Sequence, residues 1–357
     1  METNQAALPA RGKGIPSCGI SRVMETPTGG ARPRGRYAPT PSGFLHVGNA
    51  RTALVAWLSA RSVGGSFVMR VEDLDGPRTV VGAAQGALDD LAWLGLDWQE
   101  GPDLGGPHEP YVQSLRSAHY EHALAQLAGS GRLFPCGRSR KDLRQLATAP
   151  HGGSGGGPPA YPAAWRPPAL AEDWFERFRA AEGPEKAIRF KVHGRPVRFE
   201  DRLQGEWKER VDRTVGDFVL KRRDGVWAYQ LAVVVDDLAM GVTEVVRGVD
   251  LLESTGRQIQ LIEALGGRPP AYGHVPLVLN AEGEKLSKRD AGLTLVALRE
   301  AGVHPHRLVG AFAHSLGLRD SAAPRSAASL VPDFAWSRLH RRPWRLPADF
   351  ESRIRGI

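Results

Sequence analysis

The sequence predicts an α/β fold with a parallel sheet covered by helices on both faces. Short strand-like stretches alternate with longer stretches of helical periodicity, beginning with GRYAP and VGNARTALVAWLSARSVGG, and such alternation is typical of parallel sheets. Between about residues 105 and 210, strand-like stretches such as AIRFKV and VRFEDRL follow one another directly. This second pattern indicates an antiparallel section inserted into the parallel sheet.

The first part of the chain has clear start and stop signals. After the strand GRYAP, the helix VGNARTALVAWLSARSVGG ends at a Gly-Gly pair, and SFVMRVED alternates apolar and polar residues as a strand does. The stretches TVVGAAQGALDDLAWLGL and YVQSLRSAHYEHALAQLAGSG have the periodicity of amphipathic helices. LFPCGRSRKDLRQLA is predicted as a short strand followed by a helix.

The second part of the chain begins with the strand-like stretches AIRFKV, VRFEDRL and FVLKRRDGVWAYQLAVVVDD. The last of them contains Asp224-Gly225, a strong hairpin signal. The strand EVVRG then leads into the helix LLESTGRQIQLIEALGG, VPLVLN is predicted as a buried strand, and AEGEKLSKRDAG as a charged loop. Two helices, TLVALREAG and RLVGAFAHSLGL, precede an aromatic and basic end.

These elements predict four regions. Residues 1–33 are rich in Gly, Pro, Thr and Arg and form a disordered extension. Residues 34–104 and 211–290 are the two halves of a Rossmann-like domain. Residues 105–210 are the inserted α+β subdomain, with a flexible Gly- and Pro-rich loop at 148–170. Residues 291–357 form a short helical segment and a basic tail.

Composition limits the class of protein. Hydrophobic residues make up 41% and charged residues 24% of the chain, which is ordinary for a globular protein. We find no apolar run of about 18 residues and no signal core, and Cys18 and Cys136 are too few and too far apart for a disulfide framework. We therefore expect a cytoplasmic protein that does not bind membranes. The net charge of +8 suits a polyanionic partner such as nucleic acid, but an arginine-rich genome would also produce it.

The segment HVGN joins the first predicted strand to the first helix. The amino end of a helix exposes unpaired N–H groups and is a natural phosphate site. Gly48 allows a ligand close approach to the backbone, and His46 and Asn49 can donate hydrogen bonds. The alternative is a histidine cap with a packing glycine, and four residues alone do not decide between the two.

The charged loop EGEKLSKRD places Lys285, Lys288 and Arg289 beside a glycine and a serine. Such a loop can close on a polyphosphate and stabilise its developing charge. The alternative is a solvated loop, which most charge runs are.

Together, four motifs resemble a known family. RYAPTPSGFLHVGNAR and KLSKR resemble the two signature motifs of class I aminoacyl-tRNA synthetases, and RVEDLD and VVRGVDLLESTGRQIQL resemble the glutamyl branch of that class. The resemblance covers roughly residues 34–318. Only about 70 residues follow Arg289, so we expect no anticodon-binding domain. LVLNAEGEKLSKRDAG, DLLESTGRQ and FAWSRLHRRPWRLP also resemble the truncated paralogues, the glutamyl-queuosine tRNA(Asp) synthetases.

The resemblance implies a pocket for L-glutamate. Its members hold the amino acid with a basic residue, a small residue and a hydroxyl on the first strand, an acidic residue for the amine, a tyrosine and a second arginine. In this chain the matching residues are Arg36, Ala38, Thr40, Glu72, Tyr229 and Arg247. Thr40 stands where serine is usual. Without the resemblance, each is an ordinary surface or core residue.

The resemblance also implies the reaction. ATP with Mg²⁺ is bound by His46, Gly48, Asn49 and Lys288, with Lys285 assisting, and His46, Lys285 and Lys288 are the catalytic residues. Glutamate is activated to glutamyl-adenylate and transferred to the queuosine base in the anticodon loop of tRNA(Asp). The expected protein is a monomer. Two alternatives remain: a conventional glutamyl-tRNA synthetase that charges tRNA(Glu), and a non-catalytic tRNA-binding paralogue.

The family's zinc site is incomplete in this sequence. Cys136 and Tyr161 occupy two ligand positions, whereas Arg138 and Trp165 occupy the other two. His151 is a possible replacement, but it lies in the Gly-rich loop. Because a structural zinc needs about four ligands, we expect no bound zinc, and packing of Trp165 could take its place.

Overall fold

The computed structural model describes residues 32–139, 141–143, 160–180, 186–286 and 290–356. Nearly all of the predicted disordered extension lies outside this part, as do residues 148–159 of the predicted flexible loop. In the rest of that loop, Tyr161 is buried and Ala163–Trp165 forms a 3₁₀ turn. The predicted domain boundaries stay predictions.

The strands are short and the helices of varied length. In chain order the strands are β1 (Arg34–Tyr37), β2 (Ser66–Met69), β3 (Leu133–Cys136), β4 (Ala187–Phe190), β5 (Val197–Asp201), β6 (Gly205–Glu209), β7 (Phe218–Lys221), β8 (Glu244–Gly248), β9 (Ala271–Val275), β10 (Val278–Leu279) and β11 (Trp344–Arg345). The helices are α1 (Val47–Ser62), α2 (Ala83–Trp93), α3 (Ser117–Gly129), α4 (Trp174–Ala180), α5 (Val211–Thr214), α6 (Tyr229–Ala239), α7 (Thr255–Ala264), α8 (Leu295–Glu300), α9 (Pro305–Leu316) and α10 (Phe350–Arg355).

The predicted parallel sheet is present. β1 pairs with β2 in parallel, and β8 pairs with β9 in parallel, with Arg247 opposite His274. The N–H of Thr243, just before β8, donates to the carbonyl of Arg34 at 3.0 Å and so connects β1 to β8. The carboxyl ends of these strands therefore meet at one edge, where ligands bind in open α/β sheets.

Antiparallel pairing is also present, as predicted. β3, β4 and β7 form one antiparallel sheet, and β5 and β6 form a hairpin. Asp201, at the end of β5, is paired in parallel with Tyr272 of β9, so the hairpin extends the parallel sheet. The strand β7 lies beyond residue 210, the predicted end of the inserted section.

One predicted strand is a helix. The turn at Asp224-Gly225 is present, with Gly225 at φ +82°, but the stretch that follows forms α6 rather than a strand. A run of valines favours a strand locally, and burial overrides that preference. The helical turn directs Asp236 to Arg116 at 2.6 Å and Asp237 to Arg70 at 2.8 Å.

The core forms around α1, whose residues from Ala53 to Leu58 are almost wholly buried. Arg51, buried on the same helix, donates to the carbonyl of Pro276 and to the hydroxyl of Ser315. The basic tail is folded onto this core, because Trp344 pairs with Val278 between β11 and β10. Within the part of the chain that the structure describes, every helix is too short or too polar to cross a membrane.

Candidate active site

A cavity of about 810 Å³ opens at the carboxyl ends of β1, β2 and β8. It brings together ten of the eleven residues that the sequence assigns to glutamate and ATP. They are Arg36, Ala38, Thr40, His46, Gly48, Asn49, Glu72, Tyr229, Arg247 and Lys285. The eleventh, Lys288, lies outside the described residues, as does Arg289. Their roles stay predictions.

His46 caps α1. Its Nδ1 accepts hydrogen bonds from the backbone N–H of Gly48 at 3.0 Å and of Asn49 at 3.3 Å. Oδ1 of Asn49 accepts the backbone N–H of His46 at 3.2 Å, which completes a capping box. An Nδ1 that accepts carries no proton, and burial lowers the pKa of His46. The ring is therefore neutral, and its Nε2–H can donate into the cavity.

The cap by itself accounts for a glycine at position 48, as close approach of a ligand also would. A Cβ at this position would lie 2.9 Å from Cε1 and 3.0 Å from Nδ1 of His46, and 3.4 Å from Cβ of Val278. Glycine at this position therefore leaves room for the imidazole of His46 over the helix terminus. The interpretation as a histidine cap is correct, and the N–H groups of Gly48 and Asn49 are paired with His46 rather than unpaired. The capping histidine also lines the cavity, so the donor that it offers there is its own Nε2–H.

Arg70 organises the acidic side of the cavity. It is fully buried; its Nη2 donates to Oε1 of Glu72 at 2.9 Å and its Nη1 to Oδ1 of Asp237 at 2.8 Å. Arg36 reaches the same Asp237 oxygen at 3.4 Å and donates to the carbonyl of Val246 at 3.2 Å. Two arginines and two carboxylates thus form one network at the carboxyl end of β1 and β2.

Charge and burial act in opposite directions in this network. Burial raises the pKa of Glu72, and the neighbouring Arg70 only partly offsets that effect. Asp237 is as deeply placed, yet Arg70 and Arg36 together outweigh burial and keep its pKa below the ordinary value. Glu72 is therefore the carboxylate whose charge is the more sensitive to pH.

Arg247 lies on β8 and is 5% exposed. Its three donating nitrogens each have a neutral acceptor. Nε donates to Nε2 of His274 at 3.0 Å, Nη1 to Oε1 of Gln258 at 2.7 Å, and Nη2 to Oγ1 of Thr255 at 2.9 Å. The guanidinium is fixed in orientation by groups that do not neutralise it.

The remaining predicted glutamate ligands lie around these charges. Ala38 and Thr40 follow β1; Ala38 is half-buried and Thr40 exposed. Tyr229 is the first residue of α6, and burial raises the pKa of its phenol. The phenol therefore stays protonated and can donate a hydrogen bond at neutral pH.

Lys285 lines the same cavity from the charged loop. Its Nζ is 2.5 Å from Oδ2 of Asp250, and both side chains are substantially exposed. Leu279 and Lys285 form an antiparallel bridge, which folds the loop back along β10. Lys285 is therefore positioned by backbone pairing, while its ammonium is held by a carboxylate that also lines the cavity.

The two remnants of the zinc site are in contact. Sγ of Cys136 lies 3.3 Å from Oη of Tyr161. The guanidinium of Arg189 lies over the Tyr161 ring, 4.1 Å from its centroid, and that of Arg138 lies over Trp165 at 4.9 Å. One thiol and one phenol, with the guanidinium of Arg189 over the phenol ring, do not fit a zinc ion. Among the described residues no group of three or more His, Cys, Asp or Glu side chains could hold a metal; His151 lies outside them.

Several residues that support the site were not predicted from the sequence. Arg70 directly follows β2 and is two residues from Glu72 in RVEDLD, a spacing that places both side chains on one face of extended backbone. Asp237 belongs to an acidic pair at the end of an apolar run, which is unusual in a buried segment. No local signal identifies Asp201 and His274, because the contact of His274 with Arg247 and that of Asp201 with His274 both depend on strand order.

Comparison with known proteins agrees with this geometry. Residues 33–323 match the family of tRNA synthetases class I (E and Q), catalytic domain. The chain is 49% identical to a protein named glutamyl-Q tRNA(Asp) synthetase from Symbiobacterium thermophilum, over 90% of this chain and 98% of that protein. It is 46% identical to a protein of the same name from Nitratidesulfovibrio vulgaris, with the same coverage of both.

A solved structure has the same fold. The crystal structure of a glutamate tRNA ligase from Elizabethkingia meningosepticum, in complex with its amino acid, matches with a TM-score of 0.78 and 29% identity, over 90% of this chain and 68% of that one. The family predicted from HVGN, RVEDLD, VVRG and KLSKR is thus confirmed. The chain belongs to the class I tRNA synthetases of the glutamate and glutamine branch.

Proposed function

We propose that this protein activates L-glutamate with ATP and transfers it to the queuosine base in the anticodon of tRNA(Asp). The observation that supports this most is a single cavity that holds two buried arginines and a carboxylate next to a helix amino terminus. A zwitterionic, dicarboxylic amino acid needs that charge pattern, and a triphosphate suits the partial positive charge of the helix terminus and the Nε2–H of its capping histidine.

The glutamate end of the cavity matches the substrate group by group. Arg36 and Arg247 would each hold a carboxylate, and Glu72 would accept the α-amine. Tyr229, Ala38 and Thr40 would shape the space between them. An amino acid that left any of these buried charges unpaired would bind weakly, and in this way the site would select glutamate.

The ATP end would hold the nucleotide in line with the amino acid. Nε2–H of His46 and the side chain of Asn49 would donate to the phosphates, with Lys285 and Lys288 from the charged loop. The glutamate α-carboxylate attacks the α-phosphorus, a C–O–P bond forms, the bond to the bridging oxygen breaks, and pyrophosphate leaves. Positioning and charge neutralisation suffice for this step, so no protein nucleophile is required.

In the second step a hydroxyl of the tRNA attacks the carbonyl carbon of the mixed anhydride, and AMP leaves with the bonding electrons. The identity is 49% to the protein named glutamyl-Q tRNA(Asp) synthetase from Symbiobacterium thermophilum and 41% to a protein named glutamate–tRNA ligase 1 from Halorhodospira halophila, and this difference supports queuosine as the source of that hydroxyl. The net charge of +8 suits contact with the anticodon loop.

ATP would enter with Mg²⁺ as its counterion. For the Cys136 and Tyr161 cluster we propose packing without zinc, with the edge-to-face contact of Tyr161 and Trp165 at 5.4 Å as the support. Elemental analysis of purified protein should then find zinc far below one equivalent, and a stoichiometric zinc content would contradict this. We also propose that the protein is cytoplasmic and that it is a monomer. Size-exclusion chromatography with light scattering would test the monomeric state.

One experiment tests the proposed function. Glutamate-dependent exchange of pyrophosphate into ATP is measured without tRNA, and charging is then compared on queuosine-containing tRNA(Asp), unmodified tRNA(Asp) and tRNA(Glu). We expect exchange without tRNA and charging of the queuosine-containing tRNA alone. Charging of tRNA(Glu) alone would favour the conventional ligase, and a lack of exchange would favour the non-catalytic paralogue.

A further inference from the structure

We infer that Asp201 and His274 form a positioning pair that holds Arg247 in place and leaves its charge available for a substrate carboxylate. The inference rests on the proposed function, in which Arg247 binds glutamate. Among the described residues that line the cavity, neither Asp201 nor His274 appears. Both would act through Arg247 and are positioning residues rather than catalytic ones.

The hydrogen bonds determine where the imidazole proton lies. Nε of Arg247 is 3.0 Å from Nε2 of His274, and a guanidinium can only donate. Nε2 therefore accepts and has no proton. The ring proton lies on Nδ1, 2.6 Å from Oδ2 of Asp201, which accepts it. His274 is thus a neutral ring with its proton toward Asp201 and its lone pair toward Arg247.

Three neighbouring parallel strands fix this arrangement. Arg247 of β8 and His274 of β9 are opposite each other in the register, and Asp201 ends β5 on the other side of β9. Oδ1 of Asp201 accepts backbone N–H groups from Leu203 at 3.0 Å, Gln204 at 2.8 Å and His274 at 3.2 Å. The side chains of Asp201 and His274 are both fully buried, so neither can change partner without disturbing the sheet.

The charges around the buried arginines differ. Arg70 has three carboxylates within ion-pair distance, from Glu72, Asp236 and Asp237. Arg36 has one, Asp237, at 3.4 Å. Arg247 is 5% exposed, and in the described part of the chain its hydrogen bonds go only to neutral groups. A buried cation without a carboxylate partner is costly, and an anionic ligand removes that cost.

The imidazole of His274 orients Arg247 without neutralising its positive charge. A carboxylate in direct contact with Arg247 would orient it equally well but would compete with the substrate for its charge. His274 presents a neutral acceptor instead, and Asp201 keeps that acceptor in the required tautomer. The carboxylate therefore lies one imidazole away from the cation that it helps to orient.

Replacing Asp201 by asparagine tests the tautomer. In Asp201→Asn the amide oxygen can still cap the backbone N–H groups, while the amide NH₂ faces Nδ1 of His274 and forces the ring proton onto Nε2. Two donors then face each other at Arg247. Loss of one charged hydrogen bond predicts a rise of about 10- to 100-fold in the KM for glutamate in pyrophosphate exchange. We expect the KM for ATP to stay within about twofold and kcat to change less than the glutamate KM.

Two substitutions of His274 separate the loss of its hydrogen-bond acceptor from the loss of its imidazole ring. His274→Gln retains an oxygen that can accept from Arg247, and its glutamate KM should lie between those of the wild type and His274→Leu. The control is Asp224→Asn, which makes the same chemical change in an exposed pair with Arg222 and should leave the glutamate KM unchanged. Thermal unfolding of each variant identifies any that fails to fold.

The tautomer is also measured directly. Long-range ¹H–¹⁵N correlation spectra of protein labelled at histidine nitrogens, with His274 assigned by its loss in His274→Gln, should show Nδ1–H in the wild type and Nε2–H in Asp201→Asn. A wild-type Nε2–H or imidazolium would overturn the inference, as would an unchanged glutamate KM in folded Asp201→Asn. If the wild type shows no glutamate-dependent exchange, the proposed function fails, while the spectrum still decides the pairing.

Discussion

Nη2 of the fully buried Arg70 donates to Oε1 of Glu72 at 2.9 Å, and this contact links the fold to the cavity. Both residues belong to one short stretch of sequence, RVEDLD. Arg70 also holds Asp237 and approaches Asp236, so it joins α6 to the edge of the parallel sheet. Glu72 is the one partner of the three that lines the cavity.

Arg70→Met should destabilise the protein strongly. The change leaves Glu72, Asp236 and Asp237 without their shared cation, and breaking a buried ion pair from one side costs about 3–5 kcal/mol. Urea unfolding followed by circular dichroism measures the difference in the free energy of unfolding. Arg78→Met, which removes an exposed arginine paired with Asp75, is the control and should change stability by less than about 0.5 kcal/mol. Equal effects of the two substitutions would contradict the role given to Arg70.

Glu72→Gln should weaken glutamate binding and remove a pH effect. Burial raises the pKa of Glu72, so its charge is lost on acidification at a higher pH than for an ordinary glutamate. The ionised form is needed to accept the substrate amine, so kcat/KM for glutamate should fall as the pH drops through the pKa of Glu72 and recover above it. In Glu72→Gln, kcat/KM should be lower throughout and this acidic limb absent. An identical acidic limb in the variant would assign it to another group.

Arg247→Ala should raise the KM for glutamate by about 100-fold or more, because a buried charged hydrogen bond to substrate is lost. The KM for ATP should change little, since the proposed phosphate ligands belong to α1 and the charged loop rather than to β8. Arg247→Lys is a second variant to compare: it keeps the charge, but one ammonium cannot reproduce the planar guanidinium that reaches three separate acceptors, so it should recover only part of the affinity. Unchanged glutamate activation in Arg247→Ala would refute the pocket assignment.

Gly48→Ala should impair the ATP step while leaving the fold intact. A methyl group at this position would lie 2.9 Å from the ring of His46, so the imidazole must move and the capping hydrogen bonds weaken. We expect a lower kcat and a loss of stability of about 1 kcal/mol, typical of a lost helix cap. Steady-state exchange kinetics and thermal unfolding measure the two effects. Gly43→Ala, in the loop before α1, meets no atom within 4 Å and is the control; a comparable loss of kcat there would argue against the steric explanation.

Asp90→Asn should stabilise the protein at neutral pH. The Asp90 side chain is fully buried, its nearest cation is Nη1 of Arg299 at 3.4 Å, and burial raises its pKa from 3.8 to about 6. The folded state therefore binds more protons than the unfolded state between these values, and this group's contribution to stability is lost as the pH rises through about 6. Removing the charge should add about 1–2 kcal/mol at pH 7.5 and much less at pH 4. Asp89→Asn, on the exposed side of α2, is the control; a gain that does not depend on pH would exclude ionisation as the cause.

The sequence by itself determined the parallel sheet, the helix amino terminus at His46 and the set of residues that meet in the cavity. The sheet and the cap depend on local patterns, whereas the residues of the cavity were assigned from the resemblance of their motifs to a known family. Because the carboxyl ends of neighbouring parallel strands share one edge, residues at the ends of β1, β2 and β8 had to come together once the fold class was known.

Only the tertiary structure decided which partners the buried charges have and which conformation α6 adopts. The centre of YQLAVVVDDLA is a short continuous apolar run, LAVVV, and such a run does not distinguish a strand from a buried helix. Asp237 is 167 residues from Arg70, and Asp201 is 73 residues from His274. Such pairs form because strand order brings distant segments into one dry interior, where every charge must be satisfied, and that requirement acts on the folded chain rather than on any local stretch of it.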